Sequence, residues 1–404
     1  SEVMAVSVAA ALGTGAASLS IGVSLSDNRI TSAVQALVDN ALISAQGDIS
    51  IQAQESASIR STSTAVAVSF AGGIGFAFAG GGANAYNTIE TVTRAGSDTS
   101  GQARVAQSLT GMSELYAGGK LSVQASSQSQ ADARVKAAAA SFGLIAAAAA
   151  GTVTRNELAP VVEAELKRTD VQVDGDVSIT ARANQTSRAR SDALAVSGGL
   201  SASVGMASVT TLNRSSVRAG LGDDTQLQAQ NLSVAALGVD DLRQSASASS
   251  GGTLAGLAGA YSDLQLLGST VVALGQCVQV QARSVNLGSL REQTFDARAA
   301  NLAVGLLAGS GALMNTVLAG TSEVQVGKDS QVQAGDIAIS AINRADKTQF
   351  GASGYNLESF SASLAGASAL AATTTLGSSS QKFGSGVRFA QGSDLLVSES
   401  MGGS

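Results

Sequence analysis

The strongest constraint on this chain is a short segment that keeps returning. A turn, often Gly-Asp, is followed by two branched or long aliphatic residues with one polar residue between them. The segment opens as Gly47-Asp48-Ile49-Ser50-Ile51-Gln52-Ala53 and returns as Gly119-Lys120-Leu121-Ser122-Val123 and Gly175-Asp176-Val177-Ser178-Ile179. Weaker copies are Asn231-Leu232-Ser233-Val234 and Ser284-Val285-Asn286-Leu287; Gly335-Asp336-Ile337-Ala338-Ile339 is strong, and Asp394-Leu395-Leu396-Val397 is the last. Anchored at 49, 121, 177, 232, 285, 337 and 395, the copies lie 72, 56, 55, 53, 52 and 58 residues apart. Five spacings inside 52–58 mark a repeat array, in which each unit leaves apolar surface for its neighbour to cover.

Within a unit the segments alternate with period two, as strands with one buried face do. Longer runs follow, such as Ala65–Gly82, Ala137–Val153, Ala193–Val209 and Ala299–Met314. Ala137–Ala150 alone would read as a helix, because alanine is the best helix former. Its counterparts are rich in Gly, Val and Ser with glycine pairs in mid-run, so strand-bend-strand is the shared solution. Composition agrees. Apolar residues are 45% of the 404, yet aromatics are 3% and charged residues 13%, with 46 Gly and one Pro. Small side chains suit thin, closely packed layers, and a central ladder needs the N–H groups that proline lacks.

The expected fold is therefore all-β: an elongated parallel β-solenoid, or β-helix, of stacked repeats near 55 residues. It reads as one continuous array, both ends interrupting a longer chain, in units 1–53, 54–125, 126–181, 182–236, 237–289, 290–341 and 342–404. The 54–125 unit is lengthened by an insertion at 95–112. Expected turn and ladder residues are Asn28, Asn87, Asn156, Asn213 and Asn315 at the ends of the long runs, together with Gly47, Asp48, Gly175, Asp176, Gly335 and Asp336. Asparagine tolerates turns and stacks in ladders. Arg60, Arg134, Arg190, Arg243, Arg298 and Lys347 are expected to form one row of like charge on a solvated rim, offset by Asp132, Asp192, Asp241, Asp296 and Asp346.

Chemistry is sparse. With no His, the usual general base and the imidazole metal site are missing. The carboxylate pairs Glu163/Glu165, Asp223/Asp224 and Asp240/Asp241 read mainly as solvated loop charge, and Cys277 as a small buried residue opening a strand. No catalytic, cofactor-binding or metal-binding residue is expected. A net charge of −6 lacks the footprint of a nucleic-acid binder.

Units running from Asn through Ala-x-Val and Gly-Asp-Ile/Val-x-Val/Ile-x-Ala into a long Ala/Gly/Val run resemble the repeats of filamentous-haemagglutinin-like and leukotoxin-type filamentous adhesins. These are very large bacterial surface proteins with β-strand repeats. The matching stretches are Asn28–Ala53, Asn156–Ala181 and Asn315–Ala341, whereas the units from 232 and from 337 depart by lacking a clear Asn. The resemblance implies a secreted, cell-attached fibre of the bacterial surface or biofilm matrix, structural or adhesive rather than enzymatic. Its partners would be neighbouring repeats or copies of itself, and surface glycans or other cells, with no nucleic acid and no membrane span. The alternative is a carbohydrate-binding or carbohydrate-active β-helix. That reading expects the insertion and the acid pairs to converge on one face.

Overall fold

The computed structural model describes residues 1–97, 113–347, 357–383, 388–389 and 394–403, with side chains described as far as Ala371. Among these, the secondary structure is all β. The strands form a 17-stranded and a 7-stranded sheet, and every pairing is parallel. The chain is a β-solenoid. Ile49, Leu121, Val177, Leu232, Val285, Ile337 and Leu395 are successive Cα partners across its ladders.

One repeat makes one wide coil. In the coil that begins at Asp176, the strand Asp176–Asn213 runs out, bends at Gly198–Gly199 and returns. Ser216–Leu221 and Gln226–Gln228 then close the coil before Asn231 starts the next. At about 3.3 Å per residue the outgoing limb is roughly 70 Å long, while each coil adds only about 4.8 Å along the stack. We number the coils from one (Glu2–Ala45) to seven, the Asp176 coil being the fourth.

Two interiors result. At the base, three short stretches enclose a prism of large aliphatics. In coil four these are Val177 and Ile179 from the outgoing limb, Val217 and Leu221 from the third strand and Leu227 from the fourth, all buried. Beyond the base the two limbs lie against each other as an arm. Its interior is built of alanine, Ala65, Ala67, Ala83, Ala85, Ala137, Ala139, Ala193, Ala195, Ala246 and Ala299 among others, interleaved with buried Ser and Thr such as Ser63, Ser141, Thr152 and Ser191. The long runs thus adopt strand-bend-strand, including the alanine-rich Ala137–Ala150, because equivalent limbs above and below supply ladder partners for the whole run.

The Gly-Asp segments form the corner that opens each outgoing limb. Gly119 N donates to Gly47 O at 3.1 Å and Gly175 N to Gly119 O at 3.0 Å. The same stack continues through Gln230 and Arg283 to Gly335, so glycine is favoured here without being required. Asp48 Oδ1 accepts from Lys120 N at 2.7 Å, and Asp176 Oδ1 accepts from Asn231 Nδ2 at 2.7 Å. Asp336 stands in register with Ser284 and Asp394.

A second corner, at the end of the third strand, carries the left-handed residues Arg168, Asp224, Cys277 and Asp329, with φ of 48°, 55°, 55° and 58°. Cys277 is therefore an exposed turn residue, not a buried strand residue.

The asparagines form the expected ladder in part and do not form turns. Asn28, Asn87 and Asn156 are successive partners inside strands, not at turns. Asn28 Nδ2 donates to Asn87 Oδ1 and Asn87 Nδ2 to Asn156 Oδ1, each at 3.0 Å. Their amides also cross to the opposite limb: Asn87 reaches Asp132 O, and Asn156 reaches Ala131 O and Arg188 O. This ladder ties the limbs together where the arm leaves the base. Asn213 lies two residues off that row, opposite Leu158 and Leu266, and Asn315 lies opposite Asp263. The insertion also starts later than expected. Ala95–Ser97 pair in register with Ala164–Leu166, so extra residues begin after Ser97; the rest of the stretch, 98–112, lies outside the described residues.

The bend at the arm's tip needs glycine at one place above all. Gly199 has φ of 104°, and a Cβ there would run into the Gly143 carbonyl of the coil beside it. Gly199→Ala is expected to cost about 1–3 kcal/mol. The loss should appear in urea titration and as faster hydrogen exchange confined to the tip.

Candidate functional site, an apolar blade above a cationic belt

Because residues alternate along both limbs, each limb offers one set to the interior and the other to the surroundings. In the arm the small residues go in and the large aliphatics go out. In coil four Ala195 is 0% exposed, whereas Leu200 is 55% and Met206 61% exposed. Coil one shows the same inversion more sharply: Ser18, Ser20, Ser24 and Ser26 are buried while Leu19, Ile21, Val23 and Leu25 face out. Some buried hydroxyls bond one another across the limbs, Ser18 to Ser69 at 2.6 Å and Ser24 to Ser63 at 2.8 Å. The tip of every coil adds one more aliphatic: Leu12, Ile74, Leu144, Leu200, Leu254, Leu306 and Leu364 are all exposed. Phe70, Phe76, Phe78 and Phe142 join them on the flanks. The arm is thus a blade, apolar on both faces and along its edge. Contiguous surface of this kind marks an interaction site.

In coils two to six charge stops where the blade begins, whereas coil seven carries the exposed Glu358 opposite Ala300. No charged residue lies between Arg60 and Glu90, Lys136 and Arg155, Asp192 and Arg214, Arg243 and Asp263, or Arg298 and Glu323. On the outgoing limb the last charges line up as a belt. Arg134, Lys136, Arg188, Arg190, Arg243 and Arg298 line one shallow depression with only Asp192 and Asp296. Arg190 pairs with Asp192 at 2.7 Å, Arg298 with Asp296 at 3.0 Å and Arg243 with Asp241 at 3.0 Å. Among the described residues, no acidic group lies within ion-pair distance of Arg134, Lys136 or Arg188, so the depression is cationic on a chain of net charge −6.

The expected single row of like charge is not what forms. One rung series reads Arg60, Asp132, Arg188, Arg243, Asp296, and another Thr62, Arg134, Arg190, Ser245, Arg298. Opposite charges stack directly in the first, which relieves the repulsion that one row would suffer. Lys347 leaves both rows and stands opposite Phe295, with its Nζ 3.8 Å from Asp296. Burial pushes its ammonium below the usual lysine range, against the pull of Asp296.

The acid pairs do not assemble. Asp240 points inward to Arg291 and Asp241 outward to Arg243, as neighbours on one strand must. Glu163 is held by Arg94 at 2.7 Å, and Glu165 by Lys167 at 3.1 Å and Arg218 at 3.5 Å. Asp223 accepts from Gln276 N at 2.7 Å, and Asp224 occupies the left-handed corner. These carboxylates hold cations or backbone, and Asp240 lies on the opposite side of the wall from the others. Among the described residues no group of three or more acidic or Cys side chains is placed to hold a metal ion. Among the described residues no helix is long and apolar enough to cross a membrane.

Sequence reading missed the blade, although its signal is present. Several of the charge-free runs, such as Ala65–Phe70 and Ala193–Val196, alternate large apolar residues with Ala, Ser or Gly, and each run carries a Leu or Ile at its bend. Compared with known proteins, the chain matches no family model, no curated protein and no solved structure.

Proposed function

We propose that this chain is part of a non-catalytic surface fibre of the bacterial exterior, structural and adhesive, with the blade as its working surface. The observation that carries the reading is the inversion of the arm. A solenoid that needed only to be a soluble rod would place Leu200 and Met206 inward and Ala195 outward, as its base does with Val177 and Ile179. Instead it repeats an outward aliphatic edge from Leu12 to Leu364 along the stack, which gives the fibre many identical weak contacts and so high avidity. The resemblance of the repeats to filamentous adhesins points the same way.

The test is retention of the purified chain on octyl-coated beads and on glycan arrays. Binding to the beads, lost when Leu200, Leu254 and Leu306 are replaced by Asn, supports the blade. Binding to glycans alone supports the alternative, a carbohydrate-binding β-helix. That alternative has its own surface, the exposed glutamine rows Gln226–Gln279–Gln331 and Gln228–Gln281–Gln333 on the seven-stranded sheet.

A further inference from the structure

We infer that the blade inserts into a lipid bilayer bearing anionic headgroups, entering its hydrocarbon core without crossing it. This rests on the blade being the working surface and names its partner.

Three observations carry the inference. First, both flanks and the edge joining them are predominantly apolar at once, Ser247 and Ser249 on the outgoing flank of coil five being exceptions. A protein partner would cover one flank; acyl chains surround all three. Inside, some hydroxyls bond one another, as between Ser191 and Thr152 at 2.7 Å, while others, Ser141 and Ser203 among them, have no partner. Second, backbone groups at the bends are already satisfied, which lipid demands. Gly72 N bonds Ala11 O, Leu254 N bonds Ser201 O, Gly252 N bonds Val304 O and Leu306 N bonds Thr253 O, at 2.9 to 3.1 Å. The edge can therefore leave water without orphaning those donors. Third, the cationic belt sits where headgroups would lie. From Lys136 to the bend at Gly143, or from Arg298 to the bend at Gly305, is seven residues, about 23 Å of strand. That exceeds half of a hydrocarbon core about 30 Å thick and falls short of all of it. Arg134, Lys136 and Arg188, none within ion-pair distance of an acid among the described residues although Asp132 and Asp192 stand in register with Arg188 and Lys136, would meet lipid phosphates.

The chain contains no Trp, so Leu200→Trp provides a single reporter at the edge. The full chain carrying it would be mixed with vesicles of phosphatidylcholine, or of equimolar phosphatidylcholine and phosphatidylglycerol. The expected result is a blue-shifted emission, quenched by brominated acyl chains, and flotation of the protein with the vesicles. The mixed vesicles should bind more tightly. Replacing Arg134, Lys136 and Arg188 together by Gln should remove that preference, on the order of a hundredfold at about fivefold per cation. Far-UV circular dichroism of the same samples confirms that each variant keeps its β structure. Absence of both blue shift and flotation in a folded protein overturns the inference. So does a blue shift that appears without vesicles and grows with protein concentration, since a second copy then covers the blade. Octyl-bead retention separates the two levels: beads without vesicles removes the lipid partner alone, and failure on both removes the blade as working surface.

Discussion

Replacing Arg291 with alanine is expected to destabilise coils five and six by about 3–5 kcal/mol. Arg291 is fully buried, and its guanidinium is 2.6 Å from Asp240 Oδ2, itself 1% exposed. It also donates to Ser215 Oγ at 2.9 Å, and Asn213 Nδ2 donates to the other Asp240 oxygen at 2.7 Å. Glycines make the room: a Cβ at Gly268 would collide with the guanidinium, and one at Gly238 would lie 3.3 Å from it. Removing the arginine leaves a carboxylate in the wall without its cation, far from water. A repeat array opens coil by coil, so the loss should be read by native-state hydrogen exchange across Leu237–Arg243 and Leu290–Phe295. The double variant Asp240→Leu with Arg291→Met is expected to recover most of the loss, because burying the pair costs nearly what its attraction returns. A loss under about 1 kcal/mol for Arg291→Ala would show that the pair is reached by solvent.

The second large effect contrasts two neighbouring residues. Ala195→Asp is expected to open the arm around coil four at a cost of several kcal/mol, because it buries a carboxylate among alanines. Val196→Asp, one residue on, points out of the arm and should change stability by less than about 0.5 kcal/mol. The carboxyl introduced by Ala195→Asp, once buried, would hold its proton more tightly than in the unfolded chain. The deficit should therefore grow as pH rises above the ordinary aspartate range and shrink below it. Circular dichroism melts at acid and neutral pH would show both features. Equal effects at the two positions would contradict the inverted arm. The outward substitution should also weaken retention on octyl beads, which links the packing directly to the proposed activity.

The architecture was legible because two signals agree. Ile49 and Ile51, or Val177 and Ile179, alternate about one polar residue after a turn, and the spacing between copies says that they stack. Strand-bend-strand was legible from the glycine pairs, even where Ala137–Ala150 favours helix locally. The charges and asparagines were harder. Order within the unit suggests one row for Arg60, Arg134 and Arg190, but Arg60 lies 11 residues past its anchor and the other two 13, and the ladder sets Arg60 against Asp132 and Arg188. A shift of two residues keeps a side chain on the same face and moves it to another rung, so the hydrophobic pattern gives no warning. Asn213 misses the Asn87–Asn156 row for the same reason.

What the amino-acid order determines alone is the strand, the turn and the repeat. These depend on local preference and on identical surfaces recurring at a near-constant interval. Which face of the arm is inside is settled only by the tertiary structure. An alternating strand presents two sets of side chains and states no preference between them when one is alanine and serine and the other leucine and valine. The limbs of each coil meet closely beyond the Asn87–Asn156 ladder, and the gap admits only the small set. The large set is left facing whatever surrounds the solenoid.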